Sequence, residues 1–168
     1  VMVGKYRVEG AEWVWERSDG VDPKCVFFCM RRVARDMITN GGGTIVNIAS
    51  IAGRGFAGTS NASYAASKGA VISMTRTAAQ QLGEHGINVN SVCPGDTRTP
   101  LLERSMARRA AAMNCSVEEA EQSVVATVPI GRLNDPEDIA ALAVFLASPA
   151  ARNITGQAMN VDGGIITS

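Results

Sequence analysis

At 168 residues the chain is long enough to form one domain with a sizeable core. Sixteen basic and sixteen acidic side chains cancel, which leaves no global field to draw the chain to nucleic acid or to an anionic membrane. No apolar run approaches the roughly 20 residues of a membrane span, and the start lacks the form of a signal peptide; the four cysteines (Cys25, Cys29, Cys93, Cys115) have neither CxxC nor Cys/His metal spacing, so no metal site is expected and scattered thiols predict a reducing cytoplasm.

Residues 1–21 read as an irregular segment, because two glycines and mixed charge interrupt the apolar positions. Trp13 and Trp15 would cover core there rather than bind a ring. From Pro23 to about Ile38, Val26, Met30, Val33, Ala34 and Met37 recur at helical spacing and predict an amphipathic helix. Asp22 followed by Pro23 reads as its N-cap and first-turn proline. Cys25 and Cys29 share one face of it as small packing residues.

Asn40 to Gly43 form a turn, and Thr44-Ile45-Val46-Asn47-Ile48-Ala49 reads as a buried strand that empties into a loop at Ser50. In open α/β sheets ligands bind at that carboxyl end. The loop contains Gly53-Arg54-Gly55-Phe56-Ala57-Gly58, a literal GxGxxG. A dinucleotide fingerprint opens a helix at its last glycine and finds an acid about 20 positions on; here the helix starts nearer Ser63 and Thr77 to Leu82 holds no acid, so the match reads as coincidence.

The helix from about Ser63 to Leu82 is rich in small residues and places Tyr64 and Lys68, four apart, on one face. A free tyrosine has a pKa of about 10, and a nearby cation favours the phenolate. The pair therefore suits a proton donor and acceptor. His85, the only histidine, reads as a cap or surface residue at the helix end. Ile87 to Val92 alternates as a strand, followed by the loop Cys93 to Pro100. Residues 101–128 predict two helices, the second opened by a Ser116/Glu119 capping box. Arg98, Arg104, Arg108 and Arg109 read as a solvated basic face, with an anionic substrate or cofactor phosphate as the other reading. Asp135-Pro136 starts a further helix that Ser148-Pro149 ends, and Gln157 to Val161 is the last strand, running into Asp162-Gly163-Gly164.

IVNIAS, YAASK, NVNSVCPG and VDGG, in that order over roughly residues 22–164, resemble the short-chain dehydrogenase/reductase family. The resemblance implies an α/β fold, a Rossmann-like parallel sheet with flanking helices. The chain would be a partial domain over residues 22–168, truncated in its N-terminal half: neither TGxxxGxG nor an NNAG-type strand motif occurs, and Val1 in place of Met is consistent with a fragment, a processed chain or an alternative start. It further implies NAD or NADP as cofactor and a small-molecule alcohol or ketone as substrate. Tyr64 would be the acid/base and, with Lys68, bind the cofactor; Lys68 would lower the pKa of Tyr64 and hold the nicotinamide ribose, and Ser50 would hydrogen-bond the substrate oxygen. Pro94, Gly95, Thr97 and Thr99 would wrap the nicotinamide, Thr99 through its hydroxyl, and residues 101–128 would form the substrate lid. The helix Ser63–Leu82 and its predecessor would build a homo-oligomer, dimer or tetramer. Two departures stand out. The Ser50 to Tyr64 gap is fourteen residues, one longer than in many members, and Asp22 stands where an asparagine of the family helps hold a relay water. The competing reading is a catalytically silent half-domain without a phosphate site.

Overall fold

Two runs of apolar residues set the sheet, and both pair in parallel. In this computed structural model, which describes residues 12–55 and 60–167, β1 (Gly43–Ile48) pairs with β2 (Ile87–Pro94) from Gly43↔Ile87 to Ile48↔Val92. β3 (Ala158–Val161) adds to the other side of β2, from Ser91↔Ala158 to Pro94↔Val161. Parallel neighbours need long crossovers, and helices supply them. Helix α1 (Glu12–Thr39) precedes β1 and α2 (Ala62–Leu82) joins β1 to β2; α3 (Pro100–Met113), α4 (Val117–Val125) and α5 (Pro136–Ala147) lie between β2 and β3. The α/β class expected from the sequence is the one observed. Among the described residues β1 is paired on its β2 side alone.

Helices cover both faces of the sheet, which is why β2 reads as an almost unbroken buried run. On one face Met30 of α1 and Ala79 of α2 pack with Ile45, Ile87 and Val89. On the other, Leu146 of α5 packs with Val92 and Ala151. Ile87, Val89 and Val92 are all fully buried, each contributing about 1.5–3 kcal/mol by removal from water. Asn90 interrupts this run and is itself fully buried. Its amide donates to the Ile154 carbonyl (2.7 Å) and its Oδ1 accepts from the Gln157 N–H (3.0 Å), so it stands in for a missing strand neighbour just before β3 begins.

The first helix corrects the sequence reading. Its backbone is helical from Glu12, so residues 12–21 are not irregular, and residues 1–11 lie outside the described ones. Asp22 and Pro23 sit inside the helix. A cap residue has non-helical φ/ψ, so Asp22 is not the N-cap. Proline removes one donor and crowds the preceding turn without forbidding helix on its N-terminal side, and an Asp-Pro pair therefore marks a helix start only when nothing helical precedes it.

The later helices begin where the sequence places them. Ser116 and Glu119 form the reciprocal capping box of α4, with Glu119 N–H to Ser116 Oγ at 3.1 Å and Ser116 N–H to Glu119 Oε2 at 2.9 Å. α3 and α4 join through Met106, Val124, Val128 and Leu133. At the start of α5, Arg132 grips Asp138 with two bonds (2.7 and 2.8 Å), and the Asp135 N–H adds a third at 2.8 Å. The hydrogen bond from Arg132, then that from Asp135, hold the Asp138 carboxyl down at about 2. A depressed carboxylate stabilises the fold above its unfolded pKa, and that contribution is lost as pH falls towards 2. Arg132→Gln is accordingly expected to flatten the acid limb of stability below about pH 4, measured by denaturant midpoints at stepped pH. No described helix is long and apolar enough to cross a membrane.

Candidate active site

Ser50 leaves the carboxyl end of β1 in extended conformation (φ −170°, ψ 155°), one residue after the Ala49 N–H makes a last ladder bond to Val92 (2.8 Å). Its Oγ accepts from the Ala52 N–H at 3.1 Å and caps the three-ten turn Ile51–Arg54. A hydroxyl that accepts in this way keeps its own hydrogen to donate. The side chain is half-buried, as are Tyr64 and Lys68.

Asn61 fixes the first turn of α2. Its Oδ1 accepts from the Tyr64 N–H and from Ser63 Oγ, both at 2.9 Å, which sets the residue that carries the phenol at the very start of the helix. Lys68 lies one turn on, its ammonium 5.6 Å from the centre of the Tyr64 ring, within cation–π range. The same ammonium donates to the Ile48 carbonyl (3.4 Å), two residues before Ser50. Lys68 thus ties α2 to the end of β1, and the three side chains named from the sequence share the carboxyl edge of the sheet.

Gly53 makes that junction close. A Cβ there would lie 2.7 Å from the Lys68 carbonyl carbon and 2.8 Å from the Gly69 nitrogen, both backbone atoms with no flexible end to give way. Gly53 therefore serves the contact with α2, which opens at Ala62, well past the described part of the GxGxxG; Phe56 to Gly58 lie outside the described residues. Gly53→Ala is expected to cost about 1–3 kcal/mol, as overpacking does, and to lower the melting temperature by several degrees for a domain of this size. Unchanged melting would show that the turn can back away from α2.

The loop after β2 is held by backbone. The Gly95 N–H donates to the Val161 carbonyl (2.8 Å), and a Cβ on Gly95 would meet the Asp162 Cβ at 2.8 Å. Pro94 closes the β2–β3 pairing. Thr97 pairs with Asn134 in a single parallel bridge and its hydroxyl donates to the Gly95 carbonyl at 3.0 Å. Thr99 is the N-cap of α3, its Oγ1 accepting from the Leu102 N–H at 3.4 Å. Asn134, which the sequence reading passed over, is buried and joins the parts: its backbone bonds Asp96 and Arg98, and its amide reaches the Val161 carbonyl at 2.6 Å. The only hint was its place directly before a helix-starting Asp-Pro.

Arg98 is engaged with Glu121 (2.8 Å) and Asp135 (3.7 Å), so it fastens α4 to the start of α5. Arg104, Arg108 and Arg109 are exposed along α3. His85 sits exposed in the three-ten turn after α2. Among the described residues no group of three or more His, Cys, Asp or Glu side chains is placed to hold a metal ion.

The sequence model of the enoyl-(acyl carrier protein) reductase family matches residues 8–166. The (3R)-3-hydroxyacyl-CoA dehydrogenase of Rattus norvegicus is 39% identical over 153 residues, which cover 90% of this chain and 54% of the relative. A sorbitol-6-phosphate 2-dehydrogenase from Erwinia amylovora superposes with a TM-score of 0.90 at 30% identity, over 97% of this chain and 64% of that one. An actinorhodin polyketide ketoreductase variant solved with NADPH superposes with a TM-score of 0.86 at 35% identity, over 92% and 60%. The chain spans about half the length of the curated relatives it matches.

Proposed function

The chain belongs to the short-chain dehydrogenase/reductase family, and on that basis we propose that Ser50, Tyr64 and Lys68 interconvert an alcohol and its carbonyl compound with NAD or NADP. The observation that carries this reading is the double engagement of Lys68, over the Tyr64 ring and on the Ile48 carbonyl beside Ser50. In the reducing direction the Ser50 hydroxyl donates a hydrogen bond to the carbonyl oxygen and Tyr64 gives that oxygen its proton; in the oxidising direction Tyr64 takes the proton back. Lys68 supplies positive charge beside the phenol and a donor for ribose hydroxyls. A nicotinamide dinucleotide, when bound, supplies or accepts the hydride.

The described residues fit the nicotinamide and ribose end of that cofactor. They offer an ammonium, a half-buried phenol and the loop Pro94, Gly95, Thr97 and Thr99, whose Thr99 hydroxyl retains a hydrogen to donate to a carboxamide while it caps α3. Among them no glycine-rich turn opens a helix for a pyrophosphate. That observation favours a second reading, a half-domain whose catalytic side chains stand ready but idle. Titration of the 168-residue chain with NADH and NADPH, followed by nicotinamide fluorescence, separates the two. Micromolar binding is the outcome expected of the enzyme, and no binding at millimolar cofactor would establish the half-domain.

The substrate is a small alcohol or ketone, and α3 with α4 forms its lid. Phe27 and Ile38, exposed on α1, line an apolar groove between α1 and α2 that includes Met30 and Met74; a second copy of the chain would cover it. Cys25 and Cys29 are exposed and so are not the packing residues their shared helix face suggested; free, exposed thiols suit the cytoplasm.

A further inference from the structure

The turn Ile51–Arg54 that carries Ser50 at its entrance is held from three directions. From within, Ser50 Oγ accepts the Ala52 N–H; from α2, the Lys68–Gly69 backbone presses on Gly53. The third hold comes from β3. The Arg54 guanidinium donates to Asn160 Oδ1 through Nε (3.2 Å) and Nη2 (3.0 Å), and Nη2 also reaches the Ala158 carbonyl.

Asn160 passes the hold on. Its amide donates to the Ile166 carbonyl at 3.0 Å, and the Ile166 N–H donates to Asp162 Oδ2 at 3.0 Å. Asp162 is the side chain against which Gly95 packs. A continuous series of contacts therefore runs from the Ser50 turn through β3 to the loop at Pro94–Thr97. Cys93 fills the space between: its fully buried thiol lies beside the Arg54 guanidinium and the Ser50 N–H. Nothing in the local sequence announces this, since Arg54 and Asn160 are 106 residues apart.

On the functional reading above, which this inference rests on, we propose that Arg54 is a positioning residue: by anchoring the turn to β3 it sets the Ser50 hydroxyl relative to the loop that faces the nicotinamide. The fork of the guanidinium matters, because two of its nitrogens share one amide oxygen while one also bonds a carbonyl, an arrangement a lysine ammonium reproduces only in part. Without it the turn loses its polar tie to β3 and keeps its inner bonds, its contact with α2 and the packing of Ile51. Displacement of a substrate-holding group by about 1 Å is enough to reduce turnover on the order of 100-fold.

The test uses Arg54→Gln, Arg54→Lys and Asn160→Ala in the full chain. Amide hydrogen exchange is read at Gly53 and Gly55, whose N–H groups bond the Ser50 and Ala52 carbonyls, with the β2 amides as the internal standard. Arg54→Gln and Asn160→Ala are expected to speed exchange at those two glycines by about tenfold or more while β2 is unaffected; Arg54→Lys is expected to fall between. Where turnover is measurable, Arg54→Gln should lower kcat/KM on the order of 10–100-fold, and should add little to Ser50→Ala, because it acts through that hydroxyl. Exchange at Gly53 and Gly55 unchanged in Arg54→Gln would overturn the proposal, as would a full additional loss on top of Ser50→Ala. Undiminished turnover in Ser50→Ala would instead remove the role of Ser50, and the exchange rates, which need no turnover, would still decide whether Arg54 holds the turn.

Discussion

Tyr64→Phe is expected to lower turnover by about 10²–10⁴-fold, the range over which a positioned proton donor contributes. The substitution removes one oxygen. The ring, its ammonium neighbour and the Asn61 cap at the start of α2 all remain, so the melting temperature should stay near that of the parent and cofactor affinity should fall far less than turnover. Steady-state kcat with a screened alcohol or ketone, beside nicotinamide fluorescence, checks both parts. Turnover within about twofold of the parent would take the acid/base role away from Tyr64. Loss of cofactor binding together with turnover would point to a fault in the helix start and not to missing chemistry.

Asn90→Ala should destabilise the fold by about 1–3 kcal/mol, since it leaves two part-buried backbone groups without their partner. The groups are the Ile154 carbonyl and the Gln157 N–H, on the segment that delivers β3 to β2. Asn90→Leu should do no better, because an apolar side chain fills the space and leaves the same two groups without partners. Urea denaturation gives the value from the shift in midpoint at constant slope. A cost below about 1 kcal/mol would mean that water reaches the two groups once the amide is gone.

The candidate site was legible in the sequence to the extent that its residues are neighbours on one helix or follow a strand end. Tyr64 and Lys68 come together through helical spacing, and Ser50 could be placed because β1 ends in a hydroxyl where a parallel sheet opens to ligands. The α4 capping box and the Asp135-Pro136 start of α5 could be read because each signal is completed within one helical turn. The start of α1 misled because Asp22-Pro23 resembles a cap, whereas the helix already runs from Glu12. Arg54, Asn134 and Asn160 escaped notice for a different reason. Their partners lie in other elements, and a polar residue that bonds across tens of residues leaves no periodic trace. Gly53 was noticed for its motif, but its purpose, a backbone approach to α2, becomes evident only when the two elements are seen together.

The hold of β3 on the Ser50 turn also bears on the order in which the protein takes shape during synthesis. The partners of Arg54 are 104 and 106 residues further along the chain. A ribosome will have made β1, its turn and α2 long before Ala158 and Asn160 emerge. Ser50 therefore lacks its final anchor until Asn160 has emerged, and the edge it shares with Tyr64 and Lys68 can settle only after that point.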